Sequence, residues 1–135
     1  MQSVGYNINP KQSLGAQSIT GGTTVSGTAV DTQGAAEVVI SVNLGTFTAT
    51  GTADVTVEEC ATSGGSYTAI TGAVFTQFTT SNDAATYKGR IKMGAGRLRY
   101  QKVKVVQATA AILIAADVIL CQTQQRPTGT LVFNV

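Results

Sequence analysis

The sequence predicts an all-β fold: a single β-sandwich or jelly-roll-like domain with extended N- and C-terminal arms. Three observations predict it. Apolar residues recur with period two through much of residues 25–121, the pattern of half-buried strands. The apolar runs are short, Thr-rich and punctuated by glycine, as in sandwiches and jelly rolls. Hydrophobic residues make up 43% of the 135, enough for one core, while charged residues are only 12%, about half the usual share of roughly 25%.

Residues 1–23 are rich in Gly, Ser, Gln, Asn and Thr, and no period organises Val4, Tyr6, Ile8, Leu14 and Ile19. They read as an extended N-terminal arm, or as a disordered tail in the isolated protein. The sandwich domain is placed at 24–121. A first strand is expected over 25–31. In 35–44, Val38, Ile40, Val42 and Leu44 share one face. In 53–60, Val55 and Val57 point inward, with Asp54, Thr56 and Glu58 outward. The run 61–66 contains Gly64 and Gly65 and reads as a tight turn. Short strands follow at 67–70 and 74–78.

The stretch 86–93 alternates strictly, with Tyr87, Ile91 and Met93 opposite Lys88, Arg90 and Lys92. Gly94, Ala95 and Gly96 supply a turn. In 97–106, Leu98 and Tyr100 are in one phase, but Val103 and Val105 are in the other. A one-residue slip swaps the faces of a strand, so a β-bulge is expected near Gln101 and Lys102. The run from Ile112 to Cys121 is apolar on both faces. Its β-branched content favours a strand, buried in the sandwich centre or at a subunit contact, over a helix. Residues 122–135 form a second arm. Its apolar end, with Leu131, Val132 and Phe133, is expected to add a strand to this subunit or to a neighbour.

The chain has no histidine. That removes the commonest general base and metal ligand, and every Ser-His or Cys-His nucleophile. Cys60 and Cys121 find no further Cys or His to complete a zinc site, and they read as two small half-buried side chains. Glu58 and Glu59 are strand neighbours whose side chains point to opposite faces, so they cannot act as a glycosidase couple. Gly94, Ala95 and Gly96 lack the Lys-Ser/Thr of a phosphate loop. No catalytic residue, metal or cofactor is therefore expected. No signal peptide is visible, and the longest apolar run is too short for a membrane span. A soluble protein without a membrane partner is expected. Mean hydropathy is +0.17, and so little charge implies a surface covered in use by copies of itself or by a partner.

Net charge is +2, but its placement is uneven. Seven of the nine basic residues are Lys88, Arg90, Lys92, Arg97, Arg99, Lys102 and Lys104. If 86–106 is a hairpin, these form a cationic stripe. It could meet nucleic acid, an acidic protein, or water alone as a solubilising face. Tyr87 and Tyr100 fall in the opposite phase and read as core. A single-strand binder wants aromatics beside its charges, so nucleic acid is disfavoured.

The run from Val25 through Asp31 to Gly34 resembles the opening of capsid-accessory proteins of tailed bacteriophages, the decoration, cement or head proteins. The run Val55 to Tyr67 resembles their strand, turn and aromatic. Arg97, Leu98, Arg99 and Tyr100, followed by a Val-rich strand, resemble their late strand. The resemblance covers roughly residues 25–121. It departs at Thr62 and Ser63, where the family's turn carries aspartates. It implies a structural virion protein, assembled in the host cytoplasm, that coats the outer head surface and fastens capsomers. Its partners would be the major capsid protein and itself, often as a homotrimer. The candidate contact residues are the seven cations with Leu131, Val132 and Phe133. Two alternatives stand beside it: a head-fibre or adhesin module binding host glycans, and a nucleic-acid binder using the basic hairpin 88–104.

Overall fold

The computed structural model describes residues 8–94, 96–122 and 131–135. Residues 1–7, Ala95 and 123–130 lie outside it, so Val4, Tyr6, the middle of the expected turn at 94–96 and most of the link through Arg126 and Pro127 are not described.

The chain is a β-sandwich. Its strands are β1 (Ile8–Ile19), β2 (Thr24–Ser26), β3 (Val30–Asp31), β4 (Glu37–Phe47), β5 (Thr52–Cys60), β6 (Thr68–Val74), β7 (Thr86–Lys92), β8 (Tyr100–Ala108), β9 (Ile112–Cys121) and β10 (Leu131–Asn134). One sheet has the order β1-β9-β4-β7-β10; the other has β2-β8-β5-β6, with β3 also paired to β8. We call them sheet A and sheet B. All pairings are antiparallel except β10 on β7.

The core lies between the sheets and follows the period-two pattern. Sheet A contributes Val38, Ile40 and Val42 from β4, Ile91 from β7, and Ile112, Ile114, Ala116 and Val118 from β9. Sheet B contributes Val55, Val57, Ile70, Val103 and Val105. Phe75 and Phe78, just beyond β6, pack with ring centroids 5.8 Å apart. The run apolar on both faces is indeed a strand, β9, inside sheet A between β1 and β4.

Of the two segments read as arms, the strands β1 and β10 lie along opposite edges of sheet A. β1 pairs with β9, its register shifting around Leu14. There Ser13 is buried and crosses to sheet B: its Oγ donates to the Thr28 carbonyl at 2.9 Å and accepts from the Val103 N–H at 3.0 Å. Gly27 breaks the expected strand 25–31 into β2 and β3. A Cβ there would lie 2.6 Å from the Ser13 carbonyl oxygen, so this close crossing requires glycine. On the other side, β10 joins this subunit's own β7, and a Cβ on Gly72 of β6 would lie 2.8 Å from Val135.

Three expectations fail. No separate strand forms at 74–78, where β6 ends at Val74 and residues 75–77 are not strand. No bulge interrupts β8, whose pairing with β5 runs without a shift from Thr52–Ala108 to Cys60–Tyr100. The phase change disappears because residues 97–99 are not strand, Tyr100 faces outward and Gln101 faces inward, fully buried. Gln101 is the reason the apolar count misleads: its Nε2 donates to the Met93 sulfur at 3.4 Å. The hairpin 86–106 does not form either. β7 lies in sheet A and β8 in sheet B, so the chain crosses between sheets at 93–99.

Candidate contact surfaces

The seven cations are divided between two sheets and do not share one face. On β7, Arg90 is buried; its Nη1 lies 3.5 Å from Glu37 Oε2, and its Nε donates to Asn134 Oδ1 at 2.9 Å. Lys88 and Lys92 share this outer side of β7 by alternation, and Lys92 is exposed. The rest belong to sheet B and its approach. Arg97 lies 3.7 Å from Glu59. Arg99 forks onto Asp31, with Nε at 2.9 Å and Nη2 at 2.7 Å. Lys102 and Lys104 reach Glu58 at 3.9 and 3.1 Å. Five of the seven are therefore matched by carboxylates that the folding of other strands brings to them. Four carboxylates serve these five cations, Lys102 and Lys104 sharing Glu58, so their field is reduced at short range.

Electrostatics confirm the tight fork. The hydrogen bond from Arg99, helped by the Gln33 backbone N–H, lowers the Asp31 carboxyl to about 2. The same bond raises the Arg99 guanidinium. Glu58 and Glu59 do part to different partners, as strand neighbours should: Glu59 accepts from the Leu98 N–H at 3.0 Å while Glu58 holds the two lysines.

The tyrosines differ from expectation. Tyr87 packs against the core, 4.8 Å from the Phe78 ring. Tyr100 instead faces outward with Lys102 and Lys104 of the same strand. Arg99 stacks over its ring at 5.2 Å, and Lys102 lies 4.2 Å from the Tyr67 ring. Desolvation, with Cys60 and Tyr100 nearby, raises the Tyr67 phenol. Alternation counted from Leu98 hid this, because the strand starts only at Tyr100.

Of the apolar C-terminal residues, Phe133 is buried and Leu131 and Val132 are half-buried. The Phe133 ring meets Phe75 edge-on with centroids 4.9 Å apart. It occupies the space above Gly89, where a Cβ would fall inside the ring's contact distance. Val135 adds two backbone bonds, accepting from Lys92 N at 2.8 Å and donating to Arg90 O at 2.9 Å.

The other surface lies on the outer face of sheet A, where the doubly apolar run 112–121 puts its second side. A solvated face of an antiparallel sheet is ordinarily polar. Here β9 turns Leu113, Ala115 and Ile119 outward, with Asp117 between the last two, and Leu113 is 47% exposed. β1 adds Ile8 at 39% exposure. A shallow groove beside Leu113 is lined by Ala16, Ser18, Asn43, Gly45 and Ala115. The signal was present in the doubly apolar β9, which says that one of its faces is not core.

Among the described residues, no group of three or more His, Cys, Asp or Glu side chains could hold a metal ion. Among the described residues, no helix is long and apolar enough to cross a membrane. Cys60 and Cys121 are both free and buried.

No family model and no curated protein matches the chain. Among solved structures, the chain is similar to the CBM22-1–GH10 modules of Clostridium thermocellum endo-1,4-β-D-xylanase 10B complexed with xylohexaose. That likeness has 11% identity, covers 88% of this chain and 29% of the other, and has a TM-score of 0.47.

Proposed function

We propose that this protein is a non-catalytic structural protein of the phage decoration or cement class, which binds the outer head surface and fastens capsomers. The observation that carries the reading is a set of apolar side chains on the β1–β9 side of sheet A's outer face, with Leu113 and Ile8 exposed and Ile119 half-buried, on a face that also carries Asp117, Lys88 and Lys92. Apolar area gains roughly 25 cal/mol per Å² when it leaves water, so this face favours a protein cover. Low overall charge acts in the same direction, and the sequence resemblance over 25–121 supports a phage head as the surface bound. Weak contacts repeated on such a lattice multiply through effective concentration. Its partners are then the major capsid protein and further copies of itself.

The test is cosedimentation with empty heads built from the major capsid protein encoded in the same genome. The expected result is saturable binding and raised head stability, with binding weakened in Leu113→Glu. A protein that stays in the supernatant at high head concentration refutes the reading.

One observation favours a second reading, an adhesin module. Tyr67 and Tyr100 lie on the outer side of sheet B, where glycan-binding aromatics would be needed. Both rings are faced by cations, which leaves less open ring for a sugar. Binding of oligosaccharides that is lost in Tyr67→Ala and Tyr100→Ala would establish it.

A further inference from the structure

Asp117 differs from the other acidic residues of the chain. Each of those is met inside the fold. Asp31 holds Arg99, Glu37 faces Arg90, and Glu59 faces Arg97. Glu58 takes Lys102 and Lys104. Asp54 accepts from the Gln77 amide at 3.1 Å, and Asp83 accepts from the Phe47 N–H at 2.9 Å. Among the described residues, no cation and no hydrogen-bond donor meets the Asp117 carboxylate.

Its place makes this matter for binding. β9 turns Asp117 to the outer side of sheet A, half-buried between Ala115 and Ile119. Gln12 of β1 and Ser41 of β4 lie opposite it. Lys88 shares its row on the far side of β4, two strand spacings or about 10 Å away. Along the same strand lie the exposed Leu113 and the shallow groove beside it. The groove wall at 113–115 is two to four residues from Asp117, or about 7–13 Å.

A purely apolar cover would strip water from Asp117 and put nothing in its place. Removing a charge from water is costly unless an opposite charge or donors replace that water. The cover of this face is therefore constrained. Beside apolar groups for Leu113, it must carry a cation for Asp117.

We propose that the outer face of sheet A recognises a head surface that sets a lysine or arginine about 7–13 Å from an apolar side chain. The apolar group enters the groove beside Leu113, and the cation pairs with Asp117. Asp117 then sets specificity, since a mismatched partner would leave its charge covered and unpaired. Granted that this face docks on the head, on which the assignment rests, Asp117 fixes what the head must offer.

The test compares wild type, Asp117→Asn and Asp117→Lys in cosedimentation with empty heads of the major capsid protein. Asp54→Asn is the control, because it makes the same change of net charge on sheet B. Asp117→Asn should bind about 10-fold more weakly and Asp117→Lys about 100-fold or more, with the control within about threefold of wild type. Asp117→Asn binding no weaker than the control would overturn the inference and leave the head reading standing; the carboxylate would then be a guard against stacking. A wild-type protein that fails to bind overturns both. The second measurement needs no heads. With no partner inside the fold, Asp117→Asn should leave the urea midpoint of the isolated protein unchanged or raise it. A lowered midpoint would reveal an internal partner and overturn the inference. So would a wild-type oligomer that Asp117→Lys dissociates, because the cation would then come from a second copy.

Discussion

Replacing Gly89 by alanine should act through Phe133. Gly89 sits in mid-β7 at an ordinary extended position, paired with Ile40. The new methyl would clash with the Phe133 ring, while β7 itself can accept an alanine. The ring must leave, and with it the edge-on contact with Phe75 at 4.9 Å. Phe133 is only 7% exposed, and truncating such a ring to alanine costs about 3–5 kcal/mol. Gly89→Ala should cost about the same, because it forfeits the same docking. The double variant Gly89→Ala/Phe133→Ala should then cost about 3–5 kcal/mol too, not the roughly 6–10 that additivity requires. The assay is urea unfolding followed by circular dichroism at one protein concentration, since association shifts apparent stability. Additive costs, or a Gly89→Ala cost below about 1 kcal/mol, would refute the reasoning.

Three further predictions rest on the charged and thiol groups. Asp31 has a folded pKa of about 2, below its unfolded value of about 3.9. Its pair with Arg99 thus stabilises the fold fully above about pH 4, and the contribution is lost as pH falls through 2. Carboxyl-carbon NMR should place the midpoint near 2, and Arg99→Gln should raise it; an unmoved midpoint would disprove the assignment. Glu37→Ala should cost about 3–5 kcal/mol, because it strands Arg90 as an uncompensated buried charge. Apolar residues of similar volume at both positions should recover most of that loss, as read by the same unfolding curves. Burial, with Glu37 nearby, pushes the Cys121 thiol up. At neutral pH a maleimide should leave both buried thiols unmodified in the native protein and label both in urea. Rapid labelling of the native protein would contradict the buried placement.

Much of the sandwich was legible because its strands bury one face and leave the other in water. β4, β5 and β7 follow directly from alternation, and the turn at 61–66 joins β5 to β6 where its glycines place it. The errors sit where local pattern and tertiary environment part. Gln101 and Gln107 are polar yet buried, held by Met93, by the Gly22 N–H and by the Ala110 carbonyl. Counting apolar residues therefore put a phase change where none exists.

The candidate surfaces divide in the same way. The seven cations are visible in the chain, but their carboxylate partners are not. Asp31 and Arg99 are 68 residues apart, and Arg90 pairs with a glutamate on β4. Hence a stripe in sequence becomes a set of cations divided between two sheets, five of them held against four carboxylates.

The sequence by itself determined the fold class, the period-two core and the want of a histidine, since each depends only on residue type and short-range spacing. Tertiary structure alone decided which sheet each strand enters. Sheet membership depends on pairing between segments that no local period relates. It sends β7 and β8 to different sheets and leaves the second apolar side of β9 facing outward. It also carries β10 past two strands to the slot that Gly89 leaves for Phe133.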